Sequence, residues 1–121
     1  MAKTLRMDSL AIAITKELSE YTEEVQKEVE EIAKDVAEKS ATKLVENSPD
    51  RTGGYKKGWT VRKVKDGYEV YNKTKPHLTH LLEKGHAKIN GGRTDPIPHI
   101  APVEEEAVAE FNKRIEEAIS K

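Results

Sequence analysis

Residues 59–72 read WTVRKVKDGYEVYN, and the rest of the chain is organised around them. Asp66-Gly67 is a dipeptide that favours the positive φ angles of a two-residue hairpin turn. On either side, Trp59–Lys65 and Tyr68–Asn72 carry the aromatic and β-branched residues of strands. The pattern predicts an antiparallel hairpin spanning Trp59–Asn72. Side chains alternate across a strand, so Trp59 and Val61 share a face with Tyr68 and Val70, while Val64 and Tyr71 point the other way. The first of these faces is apolar and needs a cover.

The cover is expected from both directions along the chain. Residues 8–47 contain no Gly or Pro and are rich in Ala, Glu, Lys and Val, which predicts helix. Leu10, Ile14, Leu18, Tyr21, Val25, Val29, Ile32, Val36 and Ser40 recur in steps of 4, 4 and 3. This eleven-residue period suits a nearly straight helix and not a left-handed coiled coil. An unbroken helix here would be about 60 Å long at 1.5 Å per residue, so it either breaks once or projects toward a neighbour. It should stop at Asn47-Ser48-Pro49, because Pro49 disfavours helix for the residue before it. Asp50-Arg51-Thr52-Gly53-Gly54 then reads as a turn-rich connector.

Beyond the hairpin, Pro76–Lys84 is expected to form a short helix with Gly85 at its C-cap. A polar, Gly-rich loop follows to about Ile97. The last helix should open with Pro102 at its first position, with Glu104, Glu105 and Glu106 complementing the helix dipole. Val103, Ala107, Val108, Phe111, Ile115 and Ile119 form its apolar stripe. The expected architecture is α+β, one domain over residues 1–121, with the long N-terminal helix and the C-terminal helix packed on one face of a small antiparallel sheet. The predicted core takes Leu18, Val25 and Ile32 from the first helix, Trp59, Val61 and Val70 from the hairpin, and Leu81, Ile100, Phe111 and Ile115 from the remainder.

Composition narrows the chemistry. Among 121 residues there is no Cys, which excludes disulfides, zinc–thiolate sites, iron–sulfur clusters and cysteine nucleophiles. Hydrophobic residues make up 36% and charged residues 36%, a lean core that hints at stability drawn from partner chains. No apolar run approaches the roughly 18 residues that span a bilayer, and the start lacks the apolar region of a signal peptide. The expectation is a soluble chain made inside the cell, without membrane contact. The formal net charge of −1 hides an asymmetry. Residues 1–47 hold 7 basic and 11 acidic side chains, residues 48–93 hold 11 and 4, and residues 94–121 hold 3 and 7. Such segregation either balances within the subunit or builds a surface for an acidic partner.

All four histidines lie between His77 and His99. His77 and His80 would share a helical face, with Glu83 continuing the row, and His86 and His99 could fold in to complete a zinc site. No HExxH order is present and the spacing from His86 to His99 follows no ligand pattern. The competing reading is that these histidines cap helix ends, bond carbonyls or sit at a subunit contact. His80 and Glu83 could move a proton, but the sequence offers no nucleophile with an ordered base beside it. Gly91-Gly92-Arg93 could form an amide nest, yet it lacks the Lys-Ser/Thr of a P-loop. A turn presenting Arg93 to a partner carboxylate suits it better. The basic middle carries interleaved Tyr55, Trp59, Tyr68 and Tyr71, a pattern compatible with base stacking; against this, Trp59 and Tyr68 are expected in the core. Two functions therefore stand as alternatives, a histidine-dependent metalloenzyme and a nucleic-acid-binding module.

Three segments taken together carry a more specific signal. SPDRTGGYKKGW (Ser48–Trp59), YNKTKPHLTHLLEKGHA (Tyr71–Ala87) and GGRTDPIPHIAPVEEEA (Gly91–Ala107) resemble the gene-product-ten-like head–tail joining family of HK-type long-tailed phages. The resemblance covers nearly the whole chain and is weakest in the first helix. It implies a virion structural protein that acts by assembly and not catalysis, with no cofactor and no catalytic residues to transfer. It implies a ring of six copies at the head–tail junction, assembled in the host cytoplasm. The implied partners are head-completion or connector proteins, tail terminator or tail tube proteins, and packaged DNA as a further contact. Under that resemblance the subunit and partner contacts are expected at His80, Glu83, Gly85, His86, Lys88, Gly91, Gly92, Arg93, Pro98 and His99.

Overall fold

The computed structural model describes residues 9–13, 20–49, 54–65, 67–85 and 91–120. Its elements run β1 (Ser9–Ala13), α1 (Glu23–Asn47), α2 (Gly54–Lys57), β2 (Trp59–Val64), β3 (Gly67–Asn72), a 3-10 turn (Pro76–Leu78), α3 (Thr79–Lys84) and α4 (Ile100–Ile119). The three strands form one antiparallel sheet in the order β1-β3-β2. The α+β class and the packing of α1 and α4 on the sheet agree with the sequence reading.

The N-terminal stretch departs from that reading. Residues 9–13 are a strand and not the first turns of a long helix. Leu10 pairs with Val70 and Ile12 with Tyr68, and both Leu10 and Ile12 are 1% exposed. The helical period took in Leu10 and Ile14 but passed over Ile12. Leu10 and Ile12 two apart are a strand signal, too short to stand out within a Gly- and Pro-free stretch. Pairing along β3 then outweighed local helix propensity. Ile14 and Leu18 lie outside the described residues.

α1 begins instead at Glu23, and its start is chemically marked. The Thr22 backbone is extended, and its hydroxyl accepts the Val25 N–H at 3.2 Å, an N-cap of the usual kind. Glu23 and Glu24 then sit in the positive first turn. The helix ends at Asn47 as expected, where the Ser48 N–H donates to the Leu44 carbonyl at 2.9 Å.

In the hairpin the closing pair is Val64 and Gly67. Gly67 therefore belongs to β3, and the turn comes one residue earlier than Asp66-Gly67 suggested. Each partner shifts by two positions, and a shift of two keeps every side chain on its own face. Trp59, Val61, Tyr68 and Val70 accordingly still share the face toward the helices.

The core gathers Leu10 and Ile12 from β1, Val29, Ile32, Val36 and Leu44 from α1, Trp59, Tyr68 and Val70 from the hairpin, and Ile100, Val103, Phe111 and Ile115 from α4. Burying a side chain such as Phe111, 0% exposed, contributes about 2–3 kcal/mol. Val25 and Val61 are half-buried against this cluster, and Leu81 is half-buried too. Val25 and Val61 thus lie at the margin of the core, and Leu81 is not part of the cluster. Tyr55, one of the aromatics interleaved in the basic middle, is 2% exposed. It enters the core from the turn of helix at Gly54–Lys57, which begins at the last residue of the expected connector.

α4 runs antiparallel to α1, as the ion pairs between them show. Lys43 meets Glu106 at 2.7 Å near one end, and Arg114 meets Asp35 at 2.6 Å further along. Between them Lys39 reaches Glu110 at 3.2 Å, and Arg114 also contacts Glu110 at 3.0 Å. No helix among the described residues is long and apolar enough to cross a membrane.

Candidate functional site

The residues singled out by the sequence converge on the end of the molecule where α1 stops, α2 begins and α4 starts. α4 starts at Ile100, two residues before the expected Pro102. His99 at the N-cap makes no side-chain capping bond. The cap comes from α3. The Glu83 carboxylate accepts the N–H groups of His99 at 2.8 Å, Ile100 at 2.9 Å and Ala101 at 3.0 Å. A helix leaves its first amides without intrahelical partners. Here three go to one carboxylate, and Pro102, next in line, has no N–H to satisfy. Glu104–Glu106, expected to meet the dipole, fall beyond the first turn; Glu83 meets it instead.

His99 is locked into the same arrangement. Its Nδ1 lies 2.7 Å from the Ile97 carbonyl and 3.1 Å from Glu83 Oε1. Both are acceptors, so Nδ1 carries the proton, and Nε2 is left to accept from the Tyr55 hydroxyl at 2.6 Å. Burial, reinforced by the Glu83 charge, pushes the Tyr55 hydroxyl pKa well up, which keeps its proton in place as donor. Burial works to raise the Glu83 carboxyl as well. The three backbone amides outweigh that, with His99 adding to them, and the group sits below its ordinary value. Trp59 packs edge-on to both the Tyr55 and His99 rings and donates its Nε1–H to Ser48 Oγ at 2.7 Å.

A His–Tyr–Glu cluster could suggest acid–base chemistry. The three side chains are buried, however, at 2%, 2% and 7% exposure for His99, Tyr55 and Glu83. Each polar atom is already committed to the fold. The arrangement is a lock that fixes α3 and α2 to the start of α4. Metal ligation by His99 through Nε2 would require displacing the Tyr55 hydroxyl from a buried position. His77 is exposed, the His80 side chain and His86 lie outside the described residues, and no group of three or more His, Asp or Glu among the described residues is placed to hold a metal ion.

The lock also closes the base of the connection from α3 to α4. The Ile97 N–H donates to the Leu82 carbonyl at 2.7 Å, and Arg93 Nη2 donates to the Gly85 carbonyl at 3.2 Å. Gly85 ends α3 with φ +74°, and a Cβ there would run into the Thr94 carbonyl oxygen. Of the residues expected at contacts, Glu83, Gly85 and His99 are thus buried and engaged within the subunit, because they build the lock. Gly91, Gly92, Arg93 and Pro98 are exposed on the connection it supports. His86 and Lys88 lie outside the described residues.

Asn72 was missed by sequence reasoning. It is 1% exposed, donates Nδ2–H to the Tyr55 carbonyl at 2.7 Å, and accepts the Lys75 N–H at 2.8 Å. The Asn-Lys-Thr-Lys sequence is a signal for an Asx turn and could have exposed it. The Glu83 cap had a signal too, the lack of a Ser, Thr, Asp or Asn before the apolar run at Ile100.

Comparison with known proteins follows this geometry. The model of the bacteriophage HK97-gp10-like family, described as a tail component, matches residues 12–85, more than half of the chain. The match spans α1, the hairpin and α3 and stops before the Gly91–Ala107 segment. No curated protein and no solved structure is significantly similar to the chain. The chain belongs to the HK97-gp10-like family of bacteriophage tail components.

Proposed function

We propose that this chain is a ring-forming subunit that completes the joint between the phage head and its tail, acting by assembly. Membership of a tail-component family carries this reading. Its contacts fall on the exposed connection, at Gly91, Gly92, Arg93 and Pro98, together with His80, His86 and Lys88. Glu83, Gly85 and His99 serve that contact indirectly, by holding the base of the connection rigid. Its partners are further copies of itself, six in the ring, together with head-completion or connector proteins and tail terminator or tail tube proteins. The whole chain acts as one joining domain, placed at the head–tail junction of the virion.

Electron microscopy of particles made without this chain tests the proposal. Filled heads and finished tails that fail to unite are the expected result. Normal tailed particles would overturn it, and absent or overlong tails would replace joining with control of tail length.

A further inference from the structure

The antiparallel packing gives the subunit a long axis with unlike ends. β2 runs against α1, since Trp59 bonds Ser48 while Lys63 pairs with Glu30 at 2.6 Å. At the end where α1 stops, Lys56 and Lys57 stand on α2, and the Lys73 N–H donates to Gly58 at 2.8 Å, which brings Lys73 beside them. The Lys75 side chain lies over Gly54 at the same end. At the other end, Glu20, Glu23 and Glu24 are exposed at the start of α1, with Glu31 exposed two turns on.

Ion pairs within the subunit run along the flank between these ends. Lys39, Lys43 and Lys63 each reach a carboxylate within the subunit. Among the described residues, Lys56, Lys57 and Lys73 enter no ion pair, and neither do Glu20, Glu23 and Glu24. The ends are also too far apart to screen one another. A 25-residue helix is about 37 Å long at 1.5 Å per residue, and charges interact over about 8–10 Å at physiological salt. Among the described residues no ion pair within the subunit joins Lys56, Lys57 and Lys73 to Glu20, Glu23 and Glu24.

We infer that copies of this chain associate end to end, with Lys56, Lys57 and Lys73 of one subunit set against Glu20, Glu23 and Glu24 of the next. The inference rests on the ring-forming reading above and names the surfaces that would form the ring. The contact is heterologous, so each subunit uses both ends, and the chain of copies closes if the rotation between neighbours closes. A duplex DNA partner would account for the lysines but would be repelled by the acidic end. A second copy accounts for both.

Two variants test this, Lys56→Glu/Lys57→Glu and Glu23→Lys/Glu24→Lys, followed by sedimentation velocity of the full chain. Lys57, Glu23 and Glu24 are exposed and Lys56 is half-buried, and circular dichroism checks that both variants fold. The wild type should associate at low salt and come apart near 1 M, where the screening length falls to about 3 Å. Each variant alone should lose association by roughly tenfold or more, because like charges then face each other. An equimolar mixture of the two should recover it, since one variant is acidic at both ends and the other basic at both. A wild type that stays monomeric at low salt, variants that associate normally, or a mixture that stays apart would each overturn the inference. Loss of short-duplex DNA binding by the lysine variant, with self-association intact, would assign the lysine end to nucleic acid and also overturn it. The joining role is tested separately by particles lacking the chain, and that result does not depend on these charges.

Discussion

The Glu83 carboxylate accepts the Ile100 amide at 2.9 Å, although the two residues are 17 positions apart and belong to different helices. A single anion thereby serves as the N-cap of α4 and closes the connection between α3 and α4. Charge-assisted bonds to backbone amides are stronger than neutral ones, and an unpaired buried amide is costly. Glu83→Ala should therefore lower stability by about 3 kcal/mol or more and Glu83→Gln by about 1–2 kcal/mol, since Gln keeps an acceptor but loses the charge. Urea denaturation of the full chain measures both. A Glu83→Ala protein as stable as the wild type would refute the cap.

The same carboxylate predicts the acid limit of the fold. Its pKa lies below the ordinary 4.5 in the folded state, so its contribution is complete above 4.5 and is lost as pH falls through the lower folded value. Glu30, held down by Lys63, and Asp35, held down by Arg114, act with the same sign, but they are solvent-screened and weigh less. Unfolding free energy should thus decline below pH 4.5, and Glu83→Gln should flatten that decline. An unchanged pH slope in the variant would assign the acid sensitivity elsewhere.

Tyr55→Phe removes the proton that His99 Nε2 accepts and leaves a buried acceptor unpaired. The expected loss is about 1–3 kcal/mol, read as a fall in melting temperature. The aromatic packing with Trp59 and His99 survives the substitution, so the loss isolates the hydrogen bond.

Two glycines with similar φ should differ in their tolerance of alanine. Gly85 and Gly92 have φ of +74° and +77°, but a Cβ at Gly85 meets the Thr94 carbonyl, whereas at Gly92 nothing lies within 4 Å. Gly92→Ala should cost about 1 kcal/mol for its backbone angle alone. Gly85→Ala should cost roughly 1–3 kcal/mol beyond that, because backbone must move. Equal melting temperatures for the two variants would contradict the difference.

The charge network between α1 and α4 should matter little by comparison. Asp35, Lys39, Glu110 and Arg114 are all partly exposed, and such pairs contribute about 0.2–1 kcal/mol. Arg114→Ala should lower stability by no more than that at low salt, with the difference shrinking at high salt. A loss several times larger would mean that the arginine stem packs as part of the core.

What the sequence determined by itself was whatever short-range patterning controls. Period-2 alternation placed Trp59, Val61, Tyr68 and Val70 on one face, and that held even with the turn displaced, because the shift was an even one. Helical periodicity placed Val103, Ala107, Phe111 and Ile115 on one stripe, and Pro49 and Gly85 marked where helices stop. The family resemblance was likewise legible, in the motifs around Trp59 and Leu82. What only the tertiary structure decided depends on partners far away in the chain. Ser9–Ala13 is a strand because β3 offers it a free edge. Glu83 and His99, read as contact residues, are interior because α4 starts two residues early and draws its cap from α3. Local composition sets which conformations a segment can afford, but a buried amide is satisfied by whichever acceptor the fold brings within 3 Å.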